Sequence, residues 1–201
     1  VTGAASGIGL ACTKLLLEDG CRVLAFDPQE DRMRAELPEC DELAFFGGDV
    51  SKTEDCALAV SQTIDKFGGL DALMHWGAAH SSKRWDELDA EECNFIMSVN
   101  VTGSFLISQA AAKHMMAHDG GSIVLTTSTS VLFGVTGGNG QGGPAYVSSK
   151  GAIIALNRSL ARALAPKVRC NAVSPGLAET AMVGGMTDEL RASMTMRFPL
   201  G

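Results

Sequence analysis

The sequence predicts an α/β fold, a single doubly wound parallel sheet with helices on both faces. Three observations carry that expectation. Short apolar runs alternate with longer segments whose apolar residues recur at helical spacing, and strands that alternate with helices pair in parallel through crossovers. A glycine-rich turn, TGAASGIG at residues 2–9, opens the first helical segment. The chain has 201 residues and is 46% hydrophobic, enough for one sizeable core, so residues 1–201 are read as one domain.

The elements follow in order. After the glycine turn, Ile8, Ala11, Cys12, Leu15 and Leu16 fall at helical spacing, and Asp19-Gly20 ends the helix. Residues 21–26 read as a buried strand closing on Asp27. Residues 28–42 are charged and predict an exposed helix. Residues 43–46 form a strand leading into Asp49-Val50, and 53–67 an amphipathic helix ended by Gly68-Gly69. The strand 70–75 runs into Trp76-Gly77, and a helix covers about 90–117 with Asn100 inside it. A strand at 122–125, a helix at 145–165 and a strand at 168–173 complete the series, followed by Ser174-Pro175-Gly176. The glycine-rich segment 134–143 is expected to be an active-site loop, because such loops gather outside the carboxyl ends of parallel strands.

Composition excludes several classes. A net charge of −7 and a pI near 5.0 argue against nucleic-acid or anionic-membrane partners. No uninterrupted apolar run approaches membrane-spanning length, and the opening VTGAASGIG lacks the basic start and apolar stretch of a signal peptide. Six scattered cysteines without a CxxC are expected to be free thiols in a reducing compartment, the cytoplasm. His114 and His118 lie four apart without a third ligand, so they read as a helix end rather than a metal site.

Two stretches carry chemistry. In the first, Gly3, Gly7 and Gly9 let the backbone approach a pyrophosphate, and the helix start at Ser6, Gly7, Ile8 and Gly9 supplies amide donors and a positive dipole end. Asp27 stands 18 residues after Gly9, the spacing of an acid that binds the adenosine ribose hydroxyls. In the second, a serine/threonine cluster follows the run Ile123-Val124-Leu125, and Tyr146 and Lys150 stand four residues apart at the start of a helix, on one face. An ammonium beside a phenol favours the phenolate, which makes a tyrosine useful as an acid or base near neutral pH. A serine hydroxyl nearby can hydrogen-bond a developing oxyanion.

With these residues in hand the chain resembles the short-chain dehydrogenase/reductase family, of classical type, over essentially its whole length. TGxxxGxG stands as Thr2, Gly3, Gly7 and Gly9; the ribose acid is Asp27; the adenine-side pair is Asp49-Val50; the helix asparagine is Asn100. The catalytic serine, tyrosine and lysine fall on Ser128, Tyr146 and Lys150, and the nicotinamide-side PGxxxT on Pro175, Gly176 and Thr180. The family's usual asparagine-asparagine-alanine-glycine is replaced by His75-Trp76-Gly77-Ala78, which keeps two small residues, Gly77 among them, for close approach to the cofactor. GGNGQGG at 137–143 resembles an insertion, which lengthens the Ser128–Tyr146 spacing and makes Ser130 a rival for the serine role. Ser128 is preferred, being at the matching distance after the strand. Family members start with a strand of which Val1 and Thr2 remain, and end with a further helix and strand, so the chain resembles a member shortened at both ends, with sheet edges left unpaired.

The resemblance implies a Rossmann-like fold and hydride transfer between a secondary alcohol or ketone and a nicotinamide cofactor. Tyr146 would be the general acid/base, Lys150 would lower its pKa and bind the nicotinamide ribose, Ser128 would hydrogen-bond the substrate oxygen, and Asn100 would hold a water linking Lys150 to solvent. Asp27 repels a 2′-phosphate, and Ser6 and Pro28 stand where a phosphate-binding cation would, so NAD(H) is expected over NADP(H). Residues 182–198, with Met182, Met186, Met194 and Met196, would form an adaptable apolar lid, and Trp85 and Phe133 would line the same pocket, suiting a hydrophobic or ring-shaped alcohol. The competing reading is a catalytically weak nucleotide-binding protein on the same fold; epimerisation or dehydration of a nucleotide sugar would need a C-terminal substrate domain for which the chain has no room. A homodimer or homotetramer, built partly from the helices at 90–117 and 145–165, is the expected assembly.

Overall fold

The structure, a computed structural model, describes residues 1–138, 142–178, 180 and 187–196. The parallel strands are β1 (Val23–Asp27), β2 (Leu43–Gly47), β3 (Ala72–Met74), β4 (Gly121–Thr126) and β5 (Val168–Val173). β1 pairs with β2, and β3, β4 and β5 pair in that order. Thr2 joins the two sheets through parallel bridges to Phe26 and His75, so the order across the molecule is β2-β1-Thr2-β3-β4-β5. The first strand is thus one residue of pairing: the Thr2 amide donates to the Met74 carbonyl at 2.9 Å, and its own carbonyl accepts from Trp76 at 3.3 Å. Below Thr2 the sheets part, and a cavity of about 350 Å³ walled by Leu24, Phe26, Leu73 and Ile107 lies between β1 and β3.

Helices α1 (Gly7–Glu18), α2 (Glu30–Glu36), α3 (Thr53–Phe67), α4 (Ala90–Met97), α5 (Gly103–Ala117), α6 (Ser130–Phe133), α7 (Pro144–Leu164) and α8 (Asp188–Thr195) complete the described chain. One core cluster gathers Phe26, Ile107, Met115, Ile123, Leu125 and Ile153, which joins β1 and β4 to α5 and α7. A smaller one packs Ala25 and Leu43 of the sheet against Met33 of α2. Burying such side chains stabilises the fold by about 1.5–3 kcal/mol each.

Three elements differ from the sequence reading. α2 is shorter than 28–42, because Leu37 turns extended (φ −114°, ψ 148°) before Pro38, where a helical residue would clash with the proline ring. α6 was not expected. The 90–117 helix is continuous but carries a π-helical turn over Ser98–Thr102, which contains Asn100; π turns often mark functional positions. That 28-residue span, Ala90–Ala117, is long and apolar enough to cross a membrane by length and composition, although polar residues interrupt it throughout. Here Ile96, Ile107, Ala111 and Met115 are buried inside the fold. His118 closes α5 by bonding the His114 carbonyl through Nδ1 at 2.9 Å, as a helix end does, and among the described residues no group of three metal-ligating side chains occurs.

Candidate active site

The carboxyl ends of the strands open onto a cavity of about 660 Å³. Its first wall is the glycine turn. Gly3 and Gly7 have φ of 70° and 53°, values side chains rarely adopt. A Cβ on Gly9 would lie 2.1 Å from the Gly3 carbonyl oxygen, so only glycine lets α1 start this close to the turn. Ser6 caps α1 in extended conformation without a side-chain hydrogen bond to the helix, and Ser6, Gly7, Ile8 and Gly9 face the cavity at the positive end of α1. Asp27, at the end of β1, is 8% exposed and takes a backbone amide on each oxygen, from Gln29 at 3.0 Å and Ala5 at 3.3 Å. Asp49 tightens the next turn by accepting from the Ser51 amide and hydroxyl, both at 2.8 Å. Val50 is pressed by α5, where a Cβ on Gly103 would meet its Cγ2 at 2.9 Å.

His75 resolves the departure from the asparagine pattern. Its ring is 2% exposed, with Nδ1 2.7 Å from Thr2 Oγ1 and Nε2 2.8 Å from Ser104 Oγ. The neighbouring bonds assign the protons. Ser104 donates to the Asn100 carbonyl at 2.5 Å, so it must accept from Nε2–H; Thr2 Oγ1 accepts from the Gly77 amide at 3.2 Å, so it donates to Nδ1. The neutral ring thus ties the glycine turn to the π-helical turn, and burial, with Lys150 adding to it, pushes its pKa down to about 3. Trp76 also lines the cavity, and its Nε1 is buried with no partner among the described residues.

The second wall carries the acid–base residues. Tyr146, on the first turn of α7, has Ser128 beside its phenol. The Lys150 ammonium lies 5.7 Å from the Tyr146 ring centroid and donates to the Thr126 carbonyl at 2.9 Å. Thr127 Oγ1 in turn donates to the Lys150 carbonyl at 2.8 Å, which fixes α7 to the end of β4. Burial raises the Tyr146 phenol, offset in part by the Ser128 bond, and lowers Lys150 to about 8. This corrects the sequence reading: desolvation outweighs any help from Lys150, whose charge is turned to a backbone carbonyl. Ser128, not Ser130, meets the phenol; the Ser130 amide donates to Ser128 Oγ at 3.2 Å, and its own Oγ is buried without a partner.

Pro175 and Gly176 close the far side, held by the Thr129 amide on the Pro175 carbonyl at 3.0 Å, and Thr180 Cγ2 would lie 3.0 Å from a Cβ on Gly7. Every expected cofactor residue thus lines one cavity, as do Ser128, Tyr146 and Lys150. Asn100 does not. It is 1% exposed behind the wall, its Nδ2 donating to the Ala79 carbonyl and Ser149 Oγ, both at 2.8 Å, and its Oδ1 accepting from the Ala79 amide at 2.7 Å. Both amide hydrogens are spent on protein partners, so the side chain positions the segment before His80. Phe133 lines the cavity, whereas Trp85 lies outside it and is 66% exposed. His80 was missed; no spacing rule marks a histidine after a strand. Of the expected lid at 182–198, residues 182–186 and 197–198 lie outside the described residues, as do 139–141 of the glycine-rich loop.

The short chain dehydrogenase family profile matches residues 1–191. The chain belongs to the short-chain dehydrogenase family. It is 33% identical over its whole length to a 3α-hydroxysteroid dehydrogenase of Mediterraneibacter gnavus and 34% to a cis-4-hydroxycyclohexanecarboxylate dehydrogenase of Sinomonas cyclohexanicum, in each case over 81% of that protein. Among solved structures, a short-chain dehydrogenase/reductase of Brucella melitensis, described as a glucose/ribitol dehydrogenase, superposes with a TM-score of 0.90 at 28% identity, over 99% of this chain and 80% of that one. A 3-ketoacyl-(acyl-carrier-protein) reductase of the same organism, complexed with NADH, gives 0.86 at 26% identity, over 96% and 80%. Members of this family are oxidoreductases that bind a nicotinamide cofactor, and the site fits one. Only glycine fits at positions 3 and 9, where a Cβ would clash with neighbouring backbone, and the amides at the start of α1 would face the pyrophosphate of such a cofactor.

Proposed function

We propose that this short-chain dehydrogenase interconverts a secondary alcohol and its ketone with NAD(H), Tyr146 serving as general acid and base. The observation that carries this reading is the placement of Tyr146, Ser128 and the Lys150 ammonium in the cavity that also holds the glycine turn and Asp27. The cofactor would supply the hydride acceptor or donor; the protein binds, orients and moves the proton. Gly3, Ser6, Gly7, Ile8 and Gly9 would hold the pyrophosphate, Asp27 the adenosine ribose, Asp49 and Val50 the adenine side, and Gly77, Pro175, Gly176 and Thr180 the remaining length of the cofactor.

In reduction, the buried phenol of Tyr146 is the proton donor, and its raised pKa keeps the proton in place until the substrate oxygen becomes basic. Ser128 holds that oxygen and stabilises the phenolate left behind. Lys150 contributes positive charge beneath the ring, and Asn100 acts at one remove by fixing Ala79 and Ser149. In oxidation the proton moves the other way. The competing reading, a catalytically weak nucleotide-binding protein on the same fold, predicts NADH binding without turnover of any secondary alcohol.

Asp27 presents a buried carboxylate where a 2′-phosphate would have to sit, so NAD(H) is preferred. Apolar walls at Phe95, Phe133 and Val135 suit a ring-shaped alcohol, in keeping with the hydroxysteroid and hydroxycyclohexanecarboxylate named for two relatives. The test is oxidation of a panel of cyclic and open-chain secondary alcohols with NAD and with NADP. The expected kcat/KM is at least tenfold higher with NAD; equal values would sink the cofactor assignment.

A further inference from the structure

We propose that His75 is a positioning residue for Tyr146, and that a directed chain of buried hydrogen bonds through Ser104, Asn100 and Ser149 registers the phenol against the glycine turn. This rests on the reading that Tyr146 moves the proton in this cavity. The chain starts at Thr2, just before the turn, whose Oγ1 donates to His75 Nδ1 at 2.7 Å. His75 Nε2 donates to Ser104 Oγ at 2.8 Å, and Ser104 Oγ to the Asn100 carbonyl at 2.5 Å. Asn100 Nδ2 donates to Ser149 Oγ at 2.8 Å, and Ser149 Oγ to the Tyr146 carbonyl at 2.7 Å. Every residue on this path before Tyr146 is at most 2% exposed. A hydroxyl that turned away would strand its partner unpaired in a low-dielectric interior, so the path holds one arrangement.

The path joins the two walls of the cavity and ends on the first turn of α7. Ser149 bonds the carbonyl three residues back, a contact that bends or fixes a helical turn, and the carbonyl it takes is that of Tyr146. A second branch leaves the backbone of the same histidine. Thr126 Oγ1 donates to the His75 carbonyl at 2.6 Å, and the Lys150 ammonium donates to the Thr126 carbonyl at 2.9 Å. One residue past the end of β3 thus sets the glycine turn, the Tyr146 turn and the carbonyl that takes the Lys150 ammonium in a common register. Hydride and proton transfer need the cofactor and the phenol at a fixed spacing, and a displacement of about 1 Å caused by a remote change can cost about a hundredfold in rate. His75, Ser104, Asn100 and Ser149 hold that spacing from behind the wall, since none of the four lines the cavity. Their contribution is therefore to rate, through geometry, rather than to contact with cofactor or substrate.

The test compares the wild type with His75→Phe, Ser104→Ala, Ser149→Ala and the His75→Phe/Ser149→Ala double variant. Cyclohexanol and NAD give kcat and KM, and an NADH titration gives the dissociation constant. The chain has one tyrosine, so fluorotyrosine labelling yields a single fluorine resonance that reports the Tyr146 ring without turnover. Each single variant should lower kcat about tenfold with KM and the NADH dissociation constant held within about threefold, and should move the fluorine resonance. The double variant should also lose about tenfold, not the roughly hundredfold of independent sites, because one cut already severs the path. Ser104→Ala and Ser149→Ala leave the His75 ring in place, so the test stands if His75→Phe does not fold. An unchanged kcat and fluorine resonance in Ser104→Ala, a double variant slowed about a hundredfold, or NADH binding weakened about tenfold with kcat kept, overturns the proposal. No turnover by the wild type, with the resonance moved in every variant, refutes the hydride-transfer reading alone. Wild-type turnover with kcat and resonance untouched by His75→Phe and Ser104→Ala refutes this inference alone.

Discussion

Replacing His75 by Phe should produce a stability loss that shrinks as the pH falls. Near pH 7.5 the neutral ring accepts from Thr2 and donates to Ser104, and a phenyl ring of similar size forfeits both bonds. At about 1 kcal/mol net per bond the variant loses about 2 kcal/mol. The folded ring titrates at about 3 against 6.5 when unfolded. Below pH 6.5 the unfolded chain therefore binds a proton that the folded chain refuses, and wild-type stability falls by about 1.4 kcal/mol per pH unit. Between pH 7.5 and 4.5 that amounts to about 2.7 kcal/mol, a loss specific to His75 that the Phe variant does not share. The two stabilities should converge near pH 4.5 to 5. Urea unfolding of both proteins at half-unit pH steps reads the gap directly. A gap that stays constant from pH 7.5 to 4.5 would show that His75 is not a buried neutral ring wired between Thr2 and Ser104.

Other outcomes follow from the same geometry. Gly9→Ala places a methyl 2.1 Å from the Gly3 oxygen, so urea unfolding should show a loss of at least about 2 kcal/mol, accompanied by loss of NADH binding; an alanine variant that binds NADH normally contradicts the close approach of α1 to the turn. Asp27→Ser removes the carboxylate at the end of β1, and the ratio of NADPH to NADH dissociation constants should fall at least tenfold; an unchanged ratio means selectivity resides elsewhere. Of the two tryptophans, Trp85 is 66% exposed and Trp76 lines the cavity with an unpaired Nε1. NADH should therefore quench a component of the intrinsic fluorescence that Trp76→Phe removes and Trp85→Phe keeps, and the reverse pattern would put the nucleotide away from the end of β3.

The sequence was most legible where local chemistry dictates local structure. The glycines at 3, 7 and 9, the apolar strand runs and the Tyr146–Lys150 spacing each report a steric or periodic requirement met within a few residues, and strands β1, β2, β4 and β5 fall within a residue or two of expectation. What escaped depends on contacts between distant segments. The role of His75 needs Thr2 and Ser104, 73 and 29 residues away in the chain. The direction of the Tyr146 pKa turns on burial, offset in part by Ser128, and neither is encoded in the Tyr-to-Lys spacing. Asn100 reads as an active-site residue from its motif, yet the π-helical turn directs its amide at Ala79 and Ser149. The early end of α2 was readable, since Pro38 follows Leu37, but the charge pattern continued past it.

The most direct measurement is alcohol-dependent reduction of NAD by the wild-type chain and by Tyr146→Phe, with NADH binding recorded on both proteins. Proton transfer through the Tyr146 hydroxyl predicts turnover in the wild type that drops by at least about a hundredfold in the variant, with NADH affinity changed less than threefold. Equal turnover in the two proteins, or tight NADH binding with no turnover of any secondary alcohol by the wild type, would contradict it.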